Sequence, residues 1–283
     1  MLLIDFIGQF FIDNAAYALK TGTDYMEILL LLGAGLIAGA VNSLAGGGSF
    51  IAFPALLLAG VPPVMANATN TFAAWPGYLA GAAGYWPQIK KNRKRLLPYI
   101  LAAIVGGYLG AELLLRVDDA QFSIVVPWLM GIAVLMFSVG GKISKWISAK
   151  AAGRKGSAAL TSTILLLLLV FICFYGGFFN AGLGIFLLAF FALSGLTDIH
   201  AMNGMKLLIS SVVSSIAIIR FALSGSIAWY EGGLVFTGTL VGGYVAAKLA
   251  HKIPDRIIRN GIILFGVVLT VIFFWQAYGP KTA

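Results

Sequence analysis

GGGSFIAFPALLLAG, residues 46 to 60, and GLGIFLLAFFALSG, residues 182 to 195, decide how this chain folds. Both are almost wholly apolar, and both are too short to cross a membrane as a helix. About eleven residues at 1.5 Å each reach roughly half of a ~30 Å hydrocarbon core. Both also begin with glycine, which costs a helix interior about 1 kcal/mol per position relative to alanine. The pair predicts two broken segments inside a membrane and asks what the glycines gain there.

The rest of the chain supplies the membrane setting. Of 283 residues, 60% are hydrophobic and 10% charged, with a mean hydropathy of +0.96, far from the composition of a soluble domain. Ten apolar segments are read at 26–44, 49–60, 64–86, 96–115, 122–139, 158–179, 184–195, 199–223, 232–249 and 257–277. Pro62 and Pro63 read as the opening of the third, and Asp198 as the cap of the eighth. The single cysteine, Cys173, has no intrachain partner and reads as packing. Ahead of the first segment, Asp5, Gln9 and Asp13 recur at i, i+4 and i+8 on an otherwise apolar helix. Those acids, and the lack of a basic start, argue against a signal peptide despite Ala16-Tyr17-Ala18, so residues 1–25 are expected to lie on the membrane interface.

VGGYLGAELL (105–114) and VGGYVAAKLA (241–250) match in register at an offset of 136, and nearly the same offset pairs Gly47 with Gly182, Gly60 with Gly195 and Ala66 with Ala201. We infer an internal duplication of five segments per copy. An odd number per copy inverts the second in the membrane, which loop charge tests because Lys and Arg prefer the cytoplasm. Lys90, Lys91, Arg93, Lys94 and Arg95 follow the third segment, while the corresponding 224–231 loop has neither Lys nor Arg. One segment later the pattern reverses: Arg116, Asp118 and Asp119 in the first copy stand against Lys248, Lys252, Arg256 and Arg259 in the second. The connector adds Lys142, Lys145, Lys150, Arg154 and Lys155.

Loops 88–95, 142–155 and 248–259 are therefore expected on the cytoplasmic side of an inner membrane, with both termini outside. The net charge of +9 follows from this orientation. The basic loops are short and carry no interleaved aromatic beyond Trp146, which excludes nucleic acid as a partner. The expected fold is an all-α polytopic membrane protein of two inverted repeats, the second segment of each short and preceded by a Gly-rich break. It comprises an interfacial segment (1–25), repeat one (26–141), a basic connector (142–157), repeat two (158–278) and a tail (279–283).

Inverted repeats with Gly-interrupted segments at matching positions point to a transporter with a site near the midplane. A short helix starting at its glycines presents unpaired, partly positive N–H groups, and two such ends would hold an anion. Candidate contacts are Gly46, Gly47, Gly48, Gly182 and Gly184 at the breaks, with Asn42, Ser49, Asn67, Asn70, Thr71, Asn180 and Asn203 around them. Uncharged amides suit an anion that must bind and also leave. Close helix packing by the glycines, Gly39 included, and interhelical hydrogen bonding by the asparagines are the competing structural readings. Lys206 is the sharpest candidate, about seven residues or roughly 10 Å into its segment, and counting pairs it with Thr71, which makes any site asymmetric in charge. Asp198 and His200 are poor helix partners for it. Arg220, near the end of the same segment, reads as a side chain reaching the interface.

The stretches AGGGSFIAFPALLLAGVPPVMANATNT (45–71) and GGFFNAGLGIFLLAFFALSGLTDIHAMNGMKLL (176–208), with the two VGGY motifs and the basic loop after the third segment, resemble the sulfite exporter family TauE/SafE, also described with the toluene sulfonate uptake permeases. The resemblance covers nearly everything after residue 27. It implies a helical permease of a bacterial inner membrane for sulfite, sulfonates or related small anions. The second copy departs from the first in having fewer glycines and no equivalent of Pro54. A transporter exporting a small sulfur oxyanion by rocking of the repeats is expected, with proton coupling left open and with no cofactor and no metal. A passive anion channel is the alternative, and an intramembrane hydrolase using Ser49 and His200 is a remoter one, since GxSxG and HExxH are absent.

Overall fold

The computed structural model describes residues 25–44, 46–151, 158–249 and 255–279. The expected interfacial segment, the connector beyond residue 151, the 250–254 part of the third basic loop and the tail after 279 lie outside the described residues. Among these, every regular element is an α-helix: α1 Tyr25–Leu44, α2 Ser49–Leu58, α3 Pro63–Gly84, α4 Trp86–Lys91, α5 Arg93–Leu114, α6 Asp119–Ala151, α7 Ala158–Phe178, α8 Leu183–Leu193, α9 Ile199–Leu223, α10 Trp229–Leu249 and α11 Asp255–Tyr278. Ten of them fall on the ten apolar segments. The eleventh, α4, sits within the basic loop after α3 and is separated from α5 by Asn92 alone. The fifth segment also runs longer than its apolar stretch, with α6 helical through Ala151.

Among the described residues, five helical stretches are long and apolar enough to cross a membrane: Tyr25–Ser43, Arg93–Leu114, Asp119–Val139, Ile199–Leu223 and Asn260–Tyr278. Helix α3 has 22 residues but buries Asn67, Thr69, Asn70 and Thr71, which lowers its hydropathy and marks it as an interior helix. Helices α2 and α8, with 10 and 11 residues, rise about 15 and 16 Å, half of a ~30 Å core. Neither crosses alone, and each packs back against the helix before it, α2 on α1 and α8 on α7. The protein is a multi-pass membrane protein with two broken hairpins inside it.

Helix boundaries follow local chemistry. Pro62 and Pro63 open α3, and Asp198 caps α9 by accepting from the His200 amide at 2.9 Å. Arg95 donates to the Ser194 carbonyl at 3.0 Å, placing a cation at the C-terminal end of α8 where free carbonyls favour it.

Glycine sets the closest helix pairs. A Cβ added at Gly35 on α1 would lie 2.6 Å from the Val235 carbonyl oxygen on α10, and one at Gly106 on α5 would lie 2.5 Å from that of Val170 on α7. Gly39 likewise abuts the Thr239 backbone, and Gly242 of the second VGGY motif abuts Leu36. The VGGY motifs are thus packing devices, one seating α5 on α7 and the other α10 on α1. Cys173 is buried against Gly106, as its apolar surroundings predict. Helix α3 packs on α10 as α9 packs on α5, while α3 meets α9 and α6 meets α11. These four pairings map onto one another when the halves of the chain are exchanged, whereas the extensive contact of α6 with α8 has only a marginal counterpart between α11 and α2.

Each short helix centres one apolar cluster. Phe50, Phe53 and Leu56 of α2 pack among Phe122, Met130, Phe179 and Ile262. Leu187, Phe190 and Phe191 of α8 pack among Cys173, Met205, Ile209 and Val213. The polar residues of the two breaks lie where these clusters meet.

Candidate functional site

Both breaks turn on a left-handed glycine, Gly46 with φ +80° and Gly182 with φ +83°, a conformation that costs other residues about 1–2 kcal/mol. Counting residues pairs Gly47 with Gly182; backbone conformation pairs Gly46 with it. No side chain caps the start of α2 at Gly48 or of α8 at Gly182; backbone carbonyls take part of the first turn, Phe50 and Ile51 donating to Gly47 and Gly48 and Leu183 and Ile185 to Asn180 and Gly182, while the dipole keeps both helix starts partly positive.

Between the breaks lies a cavity of about 30 Å³ lined by Asn42, Gly46, Tyr78, Asn180, Gly184, Ile185, Leu188, Lys206, Leu207 and Ser210. It draws on both halves of the chain. Of the expected residues, Asn42 and Gly46 come from the first break, and Asn180, Gly184 and Lys206 from the second. The Lys206 stem runs over Gly184, where an added Cβ would lie 3.2 Å from Cδ. Its ammonium donates to Asn203 Oδ1 at 3.2 Å, so Asn203 holds the charge in place. Among the described residues no carboxylate forms an ion pair with Lys206, whereas Glu112 pairs with both Arg116 and Arg220. A cation beside a cavity, without a counter-charge, attracts an anion.

The other expected residues stand back from the cavity. Gly47 packs toward Ile262 of α11, and Gly48 against Ala38 and Asn42 of α1. Gly182 faces Ala133 of α6, and Ser49 is buried in the first turn of α2. Asn67 donates through Nδ2 to the Phe178 carbonyl at 2.7 Å, and Thr71 donates to the Asn67 carbonyl at 3.1 Å. Asn70 is buried, and its Oδ1 has no hydrogen-bond partner.

Sequence reading missed Tyr78, Ser210 and Ser214. Tyr78 donates to Asn180 Oδ1 at 2.9 Å, and Asn180 Nδ2 donates to Ser214 Oγ at 3.0 Å. Asn67, Thr71 and Tyr78 share one face of α3, while Lys206, Ser210 and Ser214 recur every fourth residue on α9, so each stripe was present in the spacing. Arg220, read as an interface side chain, instead donates to Glu112 Oε2 at 2.7 Å across α9 and α5. Ser49 and His200 make no hydrogen bond to each other; His200 is exposed and stacks on Tyr85 with ring centroids 6.3 Å apart.

Comparison with known proteins agrees with this architecture. The family model described as sulfite exporter TauE/SafE matches residues 31–273. The chain is similar to a probable membrane transporter protein of Haemophilus influenzae, 30% identical over 88% of this chain and 94% of that protein. It is also similar to the probable membrane transporter protein ORF9 of Sinorhizobium sp, 28% identical over 86% and 91% respectively. The probable membrane transporter protein YfcA of Escherichia coli K12 is 27% identical over 91% of this chain and 94% of its own length. No solved structure gives a significant match.

Proposed function

Because the chain belongs to the sulfite exporter TauE/SafE family, we propose that this membrane transporter exports sulfite or a related small sulfonate through the cavity between its two breaks. The observation that carries the reading is Lys206, a cation without a carboxylate partner among the described residues, lining a cavity shared by both halves. Lys206 supplies the charge and Asn203 orients it. Gly184, in the first turn of α8, offers the positive end of a helix. The amide of Asn42, which makes no hydrogen bond among the described residues, completes the anion contacts. Gly46 lets the turn approach the ligand closely.

A volume of about 30 Å³ has room for two water molecules at ~10–15 Å³ each, less than a three-oxygen anion needs. The hairpins must therefore part to admit substrate. Two inverted repeats rocking about the cavity give that motion, a reading supported by the pairing of α1 with α10 and of α5 with α7 in the two halves. With loops 88–95, 142–155 and 248–259 in the cytoplasm of a bacterial inner membrane, an inside-negative potential favours anion exit by about 2.3 kcal/mol per charge per 100 mV.

The test is sulfite flux in proteoliposomes with the potential set by potassium and valinomycin, for wild type and Lys206→Gln. Potential-driven flux that falls at least tenfold in the variant supports the reading. Wild-type flux with no response to Lys206→Gln removes Lys206 from the site. Rates too high for alternating access, without counterflow, would instead make the protein a passive channel.

A further inference from the structure

Beyond the anion cavity, we infer a second binding site, for a monovalent metal cation of sodium's class, made by the side-chain oxygens of Asn67 and Asn70 beside the C-terminal end of α7. Both asparagines are 1% exposed, and Oδ1 of each has no hydrogen-bond partner. A buried carbonyl oxygen without a partner is costly, about 1–3 kcal/mol, so a native structure keeps one where something else satisfies it. For Asn67 the orientation of the amide is fixed by chemistry: Nδ2 faces the Phe178 carbonyl at 2.7 Å, and only the NH₂ end can donate there. The free end is therefore an acceptor.

What these oxygens attract follows from their surroundings. Asn67 and Asn70 are i and i+3 on α3, with Cβ atoms about 5–6 Å apart on one face, so one small ion can reach both. Phe178 is the last residue of α7, its carbonyl held by Asn67, and the C-terminal end of a helix carries partial negative charge. Acceptor oxygens beside a negative helix end repel an anion and attract a hard cation. Broken membrane helices offer such ends to cations in general.

The ligand set is neutral, which selects for a single charge. Asp119, the first residue of α6, accepts from the Val64 amide at 2.8 Å and is thereby engaged at the start of α3. Among the described residues no group of three His, Cys, Asp or Glu could hold a metal ion. Two amides and backbone carbonyls do not offset the dehydration of a divalent ion, and an amide has no proton to exchange near neutral pH, so the site is for a metal cation and not for proton coupling.

The site also has a route to the cavity. Asn67 holds Phe178, and two residues on, Asn180 lines the cavity and bonds to Tyr78 and Ser214. An ion on Asn67 and Asn70 thus fixes the same break that presents Asn180 and Lys206 to the anion.

The experiment is equilibrium binding of ²²Na⁺ to the purified full chain in detergent, with no anionic substrate present, so it stands or falls apart from the sulfite flux. Saturable binding displaced by unlabelled sodium and not by choline is expected, weakened at least tenfold by Asn70→Ala, which leaves the Asn67 bond to Phe178 in place. Asn70→Asp, isosteric and charged, is expected to tighten binding severalfold and decides the matter if the alanine variant does not fold. Absence of saturable binding in wild type, or an affinity moved by neither substitution, overturns the site.

Discussion

The two breaks use the same glycine turn and hold it in opposite ways. At the first, the backbone alone closes the turn: the Gly46 amide donates to the Val41 and Asn42 carbonyls, both at 3.1 Å, and no side-chain hydrogen bond ties it among the described residues. At the second, side chains clamp nearly every residue. Asn67 holds Phe178, Tyr78 and Ser214 hold Asn180, and Tyr175 donates to the Ala181 carbonyl at 2.8 Å. Glycine content and clamping run in opposite directions, with three consecutive glycines where nothing clamps and two separated ones, Gly182 and Gly184, where four side chains do. The lesson is that a broken membrane helix has two solutions for its exposed backbone, close packing or side-chain ligation, and that this chain uses one in each half. The clamped half carries the charge.

Removing one amide from each break should separate the two most clearly. Asn180→Leu deprives the half-buried Tyr78 hydroxyl and the buried Ser214 of their shared partner, and we expect a loss of about 2–3 kcal/mol in detergent unfolding together with loss of flux. Asn42→Leu removes no protein hydrogen bond, so stability should stay within about 0.5 kcal/mol while flux falls. Equal destabilisation by the two would mean that the first break is clamped after all. Next in size are the glycines themselves. Gly182→Ala meets both a left-handed φ and Ala133 Cβ at 3.0 Å, whereas Gly46→Ala meets the same φ and nothing within 4 Å. The left-handed backbone alone costs about 1–2 kcal/mol, so both should destabilise, and thermal unfolding should find Gly182→Ala the worse.

Much of the fold was legible because its signals are local. The segment read at 199–223 is the helix Ile199–Leu223 to the residue, since Asp198 caps one end and a polar turn closes the other. The short segments were legible as short because glycine brackets both. Helix α4 was not, because a charged six-residue helix has no apolar face to read. At the site, Asn42, Asn180 and Lys206 stood out as polar residues in apolar surroundings. Tyr78 did not, because a tyrosine is ordinary in a membrane helix until its hydroxyl partner is known, and that partner is 102 residues away. Arg220 was misread for the same reason: Glu112, 108 residues earlier, becomes its neighbour only when α5 and α9 pack.

The smallest effect tests whether the clamped break positions the charge as well as the backbone. Gly184 lies in the first turn of α8, outside the left-handed position, and a Cβ there would sit 3.2 Å from Cδ of Lys206 and 3.6 Å from Cγ. Those atoms belong to a flexible stem, which can yield by a few tenths of an ångström, so Gly184→Ala should change stability by less than about 0.5 kcal/mol. The displaced stem strains the ammonium's bond to Asn203 at 3.2 Å and moves the charge relative to the cavity. We expect the half-saturating sulfite concentration to rise about two- to fivefold with maximal flux little changed, because binding is weakened and the hairpins' movement is not. A fall in maximal flux at unchanged half-saturation would show instead that Gly184 serves the motion of α8 past α9, and that the second break is a moving part.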